Sequence, residues 1–73
     1  MRKEIIREFY IMALIDLVHG GAITDLEAEL ELYEREELYE ECAGIKKALE
    51  IAETKTIKEL KKIIFENEIR NNT

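Results

Sequence analysis

Proline is absent from this chain of 73 residues, and so is tryptophan. Without proline, no position has its φ fixed or lacks a backbone donor. Turns must therefore come from glycine or from ordinary residues. There are three glycines, Gly20, Gly21 and Gly44. Cys42 is the one cysteine, which excludes a disulfide framework and a cysteine zinc site within the chain. A reducing, cytoplasmic setting fits. The apolar run from Phe9 to Ile15 is far short of the ~20 residues that span a bilayer. The opening "MRKEIIREFY" carries Glu4 and Glu8 and no small-residue cleavage site, so no signal peptide is expected. No Walker-type loop, dinucleotide fingerprint, serine nucleophile elbow or EF-hand loop occurs. No cofactor is expected.

Apolar residues make up 47% of the chain and charged residues 38%, which is too apolar for disorder. Glu, Leu, Lys, Ile and Ala dominate, and all but Ile are strong helix formers. A single domain over residues 1–73 is expected. A chain of this size buries roughly 60% of the surface its unfolded form exposes, so its own stability is modest.

The net charge of −6 is unevenly spread. Residues 1–20 are balanced, residues 21–53 carry three basic and eleven acidic groups, and residues 54–73 carry five basic and three acidic groups. The acidic middle repels nucleic acid and anionic membranes, so neither is expected as a direct partner.

Helical periodicity and end signals predict an all-α fold, a small bundle of four short helices over about 2–19, 25–36, 38–53 and 56–69. In the first helix, Ile5, Ile6, Phe9, Ala13 and Leu17 share a face. Past Tyr10, apolar side chains point all round, as in a helix that is central or covered by a partner. Self-association through this helix, giving a homo-oligomer, is the expectation. "HGGAIT" then ends it: Gly20 suits a left-handed C-terminal position, and His19 lies at the helix end. Thr24 with Glu27 reads as a capping box for the second helix, and Thr56 with Glu59 as one for the fourth.

No glycine or proline lies between Asp25 and Ala43. Two stripes run through that region. Ile23, Leu26, Leu30 and Tyr33 form one, and Leu38, Cys42, Ile45, Leu49 and Ala52 the other. Their centres differ by about 100°, so a break near Glu36–Leu38 is expected. In the fourth helix Ile57, Leu60, Ile63 and Ile64 form the core face, with Phe65 and Ile69 extending it. "RNNT" should fray.

The segment "YEREELYEECAGIKKAL", residues 33–49, resembles a UVR motif, the helical hairpin of the UvrB/UvrC family. Tyr39 and Glu40 match the aromatic–Glu opening of that motif's second helix. Cys42 and Ala43 match its small pair, and Ile45, Lys46 and Leu49 the remainder. Lys47 stands where the family often has Asp, and Gly44 is unusual inside a helix. The resemblance implies a protein–protein contact module and not an enzyme. "LIDLVHGGAITDLEAEL" is similar to SHOCT-type segments, where a Leu-rich helix passes through a G-x-I-T turn into an acidic helix.

The sharper readings each meet a plainer one. Asp16 and His19 are spaced to face one metal ion, with Glu4 and Glu8 on nearby directions. One histidine is few for such a site, and a helix-terminal His is the simpler reading. Cys42 sits on an apolar stripe, which marks a buried thiol rather than a nucleophile. No catalytic residue is expected. The run of glutamates from Glu27 to Glu41 is a solvated face or a docking surface for a basic protein. Lys55, Lys58, Lys61 and Lys62 form a wet face, or pair with the acidic middle.

The function expected from these features is that of a non-enzymatic adaptor docking a larger protein through an acidic helical hairpin. Glu34, Glu37, Leu38, Tyr39, Glu41, Cys42, Ala43, Ile45 and Leu49 are its candidate residues. The alternative is a small acidic phage or mobile-element inhibitor that blocks a nucleic-acid-binding enzyme.

Overall fold

The computed structural model describes the backbone of residues 2–72 and the side chains of residues 2–67. Four helices follow one another: α1 (Lys3–Val18), α2 (Ile23–Arg35), α3 (Tyr39–Ala52) and α4 (Ile57–Asn72). No strand occurs among the described residues. α1 packs against both α3 and α4, and α2 packs against α3. The order across the molecule is therefore α4, α1, α3, α2.

This layering accounts for much of the all-round apolarity of α1. Tyr10, Ala13, Leu14 and Leu17 are buried, with Leu14 fully so. Ile11 and Val18 are half-buried against the same core. Of the face expected from the sequence, Ala13 and Leu17 are buried while Ile5, Ile6 and Phe9 are half-buried, and Tyr10 and Leu14 join the buried set. Leu26, Ile45, Ala48 and Leu60 bring α2, α3 and α4 into the same core. Of the large side chains of α1, Met12 is left 60% exposed.

α1 ends in a Schellman motif. Gly20 takes the left-handed conformation at φ +93°, the Gly20 N–H donates to the Leu17 carbonyl and the Gly21 N–H to the Asp16 carbonyl. The start of α2 differs from expectation. Ala22 is its N-cap, in extended conformation, with no side-chain cap. The Asp25 and Leu26 N–H groups donate to the Ala22 carbonyl. Thr24 thus lies inside the helix, where helical dihedrals bar it from the N-cap role. The glycine turn is complete by Gly21, so the helix starts two residues early. Ile23, expected in the core, is 47% exposed at the first position of α2.

The expected break between α2 and α3 is present. Glu36 caps α2, and Glu37 is left-handed at φ +59°. The Glu37 N–H donates to the Glu34 carbonyl at 3.1 Å and the Leu38 N–H to the Tyr33 carbonyl at 3.0 Å. This is the same motif that ends α1, built with a glutamate in place of glycine.

The capping box of α4 forms as expected. The Glu59 N–H donates to Thr56 Oγ1 at 3.2 Å, and the Thr56 N–H donates back to Glu59 Oε1 at 3.4 Å. Leu60 is buried and Ile63 and Ile64 pack on the core, but Phe65 and Ile57 are exposed. α4 runs past the expected end at 69. The side chains of Ile69 and of "RNNT" lie outside the described residues.

Candidate interaction surface

The hairpin of α2 and α3 is held from inside. Tyr33 of α2 meets Phe9 of α1 edge-on, with ring centroids 5.8 Å apart and planes at 86°. Such an aromatic pair adds about 0.5–1.5 kcal/mol beyond area burial. Across the α2–α3 seam, the Cys42 thiol points at the Leu30 carbonyl, 3.9 Å away. Lys46 Nζ lies 3.9 Å from Glu34 Oε1, both side chains half in solvent, so this pair contributes little.

The candidate residues fall into three groups. Cys42 and Ile45 are buried in the chain and shape the hairpin from within, Cys42 reaching the surface only at the wall of a groove. Glu41, Ala43 and Leu49 are half-buried. Glu34, Glu37, Leu38 and Tyr39 are exposed. Tyr39, the aromatic of the UVR-like opening, is 61% exposed, and Leu38 beside it is 42% exposed. Two apolar side chains therefore stand at the turn among Glu36, Glu37, Glu40 and Glu41. Next to them lies a shallow groove of 410 Å³ lined by Glu34, Tyr39, Cys42, Ala43 and Lys46.

The three small residues of α3 divide between two helices. Cys42 faces α2. Gly44 faces α1: a β-carbon there would lie 2.5 Å from the Ile6 carbonyl oxygen and 2.9 Å from the Tyr10 nitrogen. Ala43 opens on the outer groove. Close approach of helices is thus used within the chain. The sequence flagged Gly44 as out of place but not what it served. The signal was a glycine on a helical stripe with no turn residues around it.

Burial pushes the Cys42 thiol above its ordinary pKa, and the Glu34 carboxylate adds to the rise. Such a thiol is poorly ionised near neutrality and a weak nucleophile. His19 is exposed at the end of α1. Among the described residues no group of three or more His, Cys, Asp or Glu side chains is arranged to hold a metal ion. No helix among them is long and apolar enough to cross a membrane. The lysines of α4 form no ion pair with the acids of α2 and α3 among the described residues; Lys55, in the turn before α4, pairs with Glu59 of that helix at 3.7 Å. Among the described residues the acidic hairpin is therefore not neutralised by α4, and only Glu31 and Glu34 are paired within it.

Compared with protein-family models, with curated proteins and with solved structures, the chain shows no significant match.

Proposed function

We propose that this protein is a non-enzymatic interaction module that docks a larger protein through the acidic hairpin of α2 and α3. The observation that carries this reading is the exposure of Leu38 and Tyr39 at a turn ringed by carboxylates. Exposed aromatics at the centre of a polar rim are the side chains that dominate binding energy at interfaces. The surrounding charge selects a basic partner and speeds its approach. The likeness of residues 33–49 to a UVR motif points the same way, since that motif serves protein contact.

A second reading rests on α2 and the turn that follows it. Glu27, Glu29, Glu31, Glu34, Glu36 and Glu37 are all exposed. Such a row suits an inhibitor that fills the groove of a nucleic-acid-binding enzyme by presenting a phosphate-like charge pattern. Self-association through α1 is a further proposal, now confined to the surface around Met12 that α3 and α4 leave open. A mass in solution that stays monomeric at all concentrations overturns it.

Cross-linking in the native host followed by mass spectrometry identifies the partner, and two variants then separate the readings. Tyr39→Ala should weaken binding by about tenfold or more if the turn is the centre of contact. Reversal of Glu34, Glu37 and Glu41 to Lys should abolish binding in both readings. Full binding by Tyr39→Ala with loss in the triple variant leaves only the charge-mimic reading. Full binding by both overturns the hairpin altogether.

A further inference from the structure

The cleft at the start of α1 is lined mainly by cations, against the acidic balance of the chain. It has a volume of 590 Å³ and is bounded by α1, α3 and α4. Three cations line it, Lys3 and Arg7 from α1 and Lys47 from α3, against one carboxylate, Glu4. The chain as a whole has a net charge of −6. Arg35, Lys46 and Lys55 each lie within 4.0 Å of a carboxylate; among the described residues Lys3, Arg7 and Lys47 do not, and neither do the exposed Lys58, Lys61 and Lys62, but only the first three converge on one cleft. Lys3 and Arg7 also stand one turn apart on one helix face, where like charges repel.

The floor of the cleft is built rather than incidental. Tyr10 is 7% exposed and lines the cleft, yet its hydroxyl has no hydrogen-bond partner among the described residues. Its edge is not sealed from solvent, since no buried side-chain oxygen is left orphaned. Among the described residues nothing competes for this hydroxyl as a donor into the cleft. The Lys47 ammonium lies 4.8 Å from the centroid of the Tyr10 ring, a cation–π contact that holds it at the floor. Asn67 of α4 closes the far side, its side-chain amide donating to the Ile63 carbonyl. A phenol at the floor, an ammonium over its ring and two further cations thus outnumber the single carboxylate, Glu4, among the described residues that line the cleft.

We propose that this cleft binds a small ligand through an oxyanion group, phosphate or carboxylate. Arg7 and Lys47 supply the main charge, Lys3 stands at the rim, and the Tyr10 hydroxyl donates a hydrogen bond. Arginine suits this role because its planar fork matches two oxygens of one such group. None of these residues belongs to the hairpin turn, so the site stands apart from the docking surface.

The test is a titration of the intact protein with pyrophosphate and, separately, with citrate, at constant ionic strength set with chloride, followed by amide NMR. Saturable shifts centred on Arg7, Tyr10 and Lys47 are expected with at least one of the two. Saturation by pyrophosphate alone assigns phosphate ligands, and saturation by citrate alone assigns carboxylates. Arg7→Gln and Lys47→Gln should each weaken binding by about tenfold, the usual worth of a charge-assisted contact. Tyr10→Phe keeps the ring beneath Lys47 and should weaken binding several-fold with an unchanged helical circular-dichroism signal. Lys61→Gln, on α4 outside the cleft, should have no effect. No saturable shift with either anion overturns the proposal. So does an affinity that is unchanged in folded Arg7→Gln and Lys47→Gln.

Discussion

Gly44 of α3 lies so close to Ile6 of α1 that a β-carbon at position 44 would sit 2.5 Å from the Ile6 carbonyl oxygen. The opposing atoms include backbone, the Ile6 oxygen and the Tyr10 nitrogen, which cannot swing aside as a side chain can. Two effects compete in Gly44→Ala. Helix propensity favours alanine by about 1 kcal/mol. Overpacking costs typically about 1–3 kcal/mol, and more when backbone must shift. Because α1 and α3 supply most of the core, separating them loosens Tyr10, Leu14, Ile45 and Ala48 together. The variant should lose about 2 kcal/mol, a large share of what so small a domain has. A urea midpoint higher than that of the parent protein would show that the two helices do not meet this closely.

Glu37 makes the opposite prediction. Its left-handed backbone, φ +59°, is a conformation that costs a residue with a β-carbon about 1–2 kcal/mol. Glycine relieves that strain and gives back part of the gain through the entropy of the unfolded chain. Glu37→Gly should stabilise the fold by about 0.5–1 kcal/mol, or several degrees in melting midpoint for a domain of this size. Glu36→Gly, one residue earlier at a right-handed position, should destabilise instead. Equal effects at the two positions would refute the Schellman geometry of this turn.

These two residues also mark where the sequence was legible and where it was not. The four helices and the break after α2 follow from stripe directions, because burying apolar side chains on one face fixes the helical phase. The break is visible that way although Glu37 gives no local sign of a turn; its conformation is imposed by two backbone hydrogen bonds and the packing of α3. Gly44 is a breaker by propensity and yet sits mid-helix, because its role lies in the approach of another helix, which no single segment encodes. Thr24 misled for a related reason. Two T-x-x-E patterns occur, and the one at Thr56 becomes a cap while the one at Thr24 falls inside a helix that Ala22 has already begun. The candidate surface was legible in part. Its charge was evident from composition, but the division into buried Cys42 and Ile45 and exposed Leu38 and Tyr39 depends on how α2 and α1 clasp α3.

The cap at Thr56 predicts a pH dependence. The backbone N–H of Thr56 first, then its hydroxyl, donate to the Glu59 carboxylate and hold its pKa below the ordinary 4.5. A carboxyl group with a lowered folded pKa binds protons less readily in the folded state than in the unfolded one. Its stabilising effect is therefore complete above the unfolded value and is lost as pH falls through the folded value. Carbon-detected NMR titration of Glu59 should give a midpoint below 4.5. Thr56→Ala keeps the backbone N–H and loses the hydroxyl, so the midpoint should rise part of the way towards 4.5, and α4 should fray from Ile57. An unchanged midpoint in the variant would mean that the box does not form in solution.

Cys42 reports on the hairpin itself. Its side chain is 4% exposed, packed on the seam with α2 and directed at the Leu30 carbonyl. Burial raises its pKa above 9.0, so the folded state holds the thiol proton more tightly than the unfolded state does. That contribution is complete below 9.0 and is lost as pH climbs through the folded value. At neutral pH the native protein should react with iodoacetamide only through transient opening of α2 from α3, while denatured protein reacts at once. The native rate should therefore fall in Glu37→Gly, which strengthens the turn, and rise in Gly44→Ala, which loosens the bed beneath α3. Labelling of the native protein as fast as a free thiol would contradict the buried seam. A rate that does not respond to either glycine substitution would place the opening elsewhere than at this hairpin.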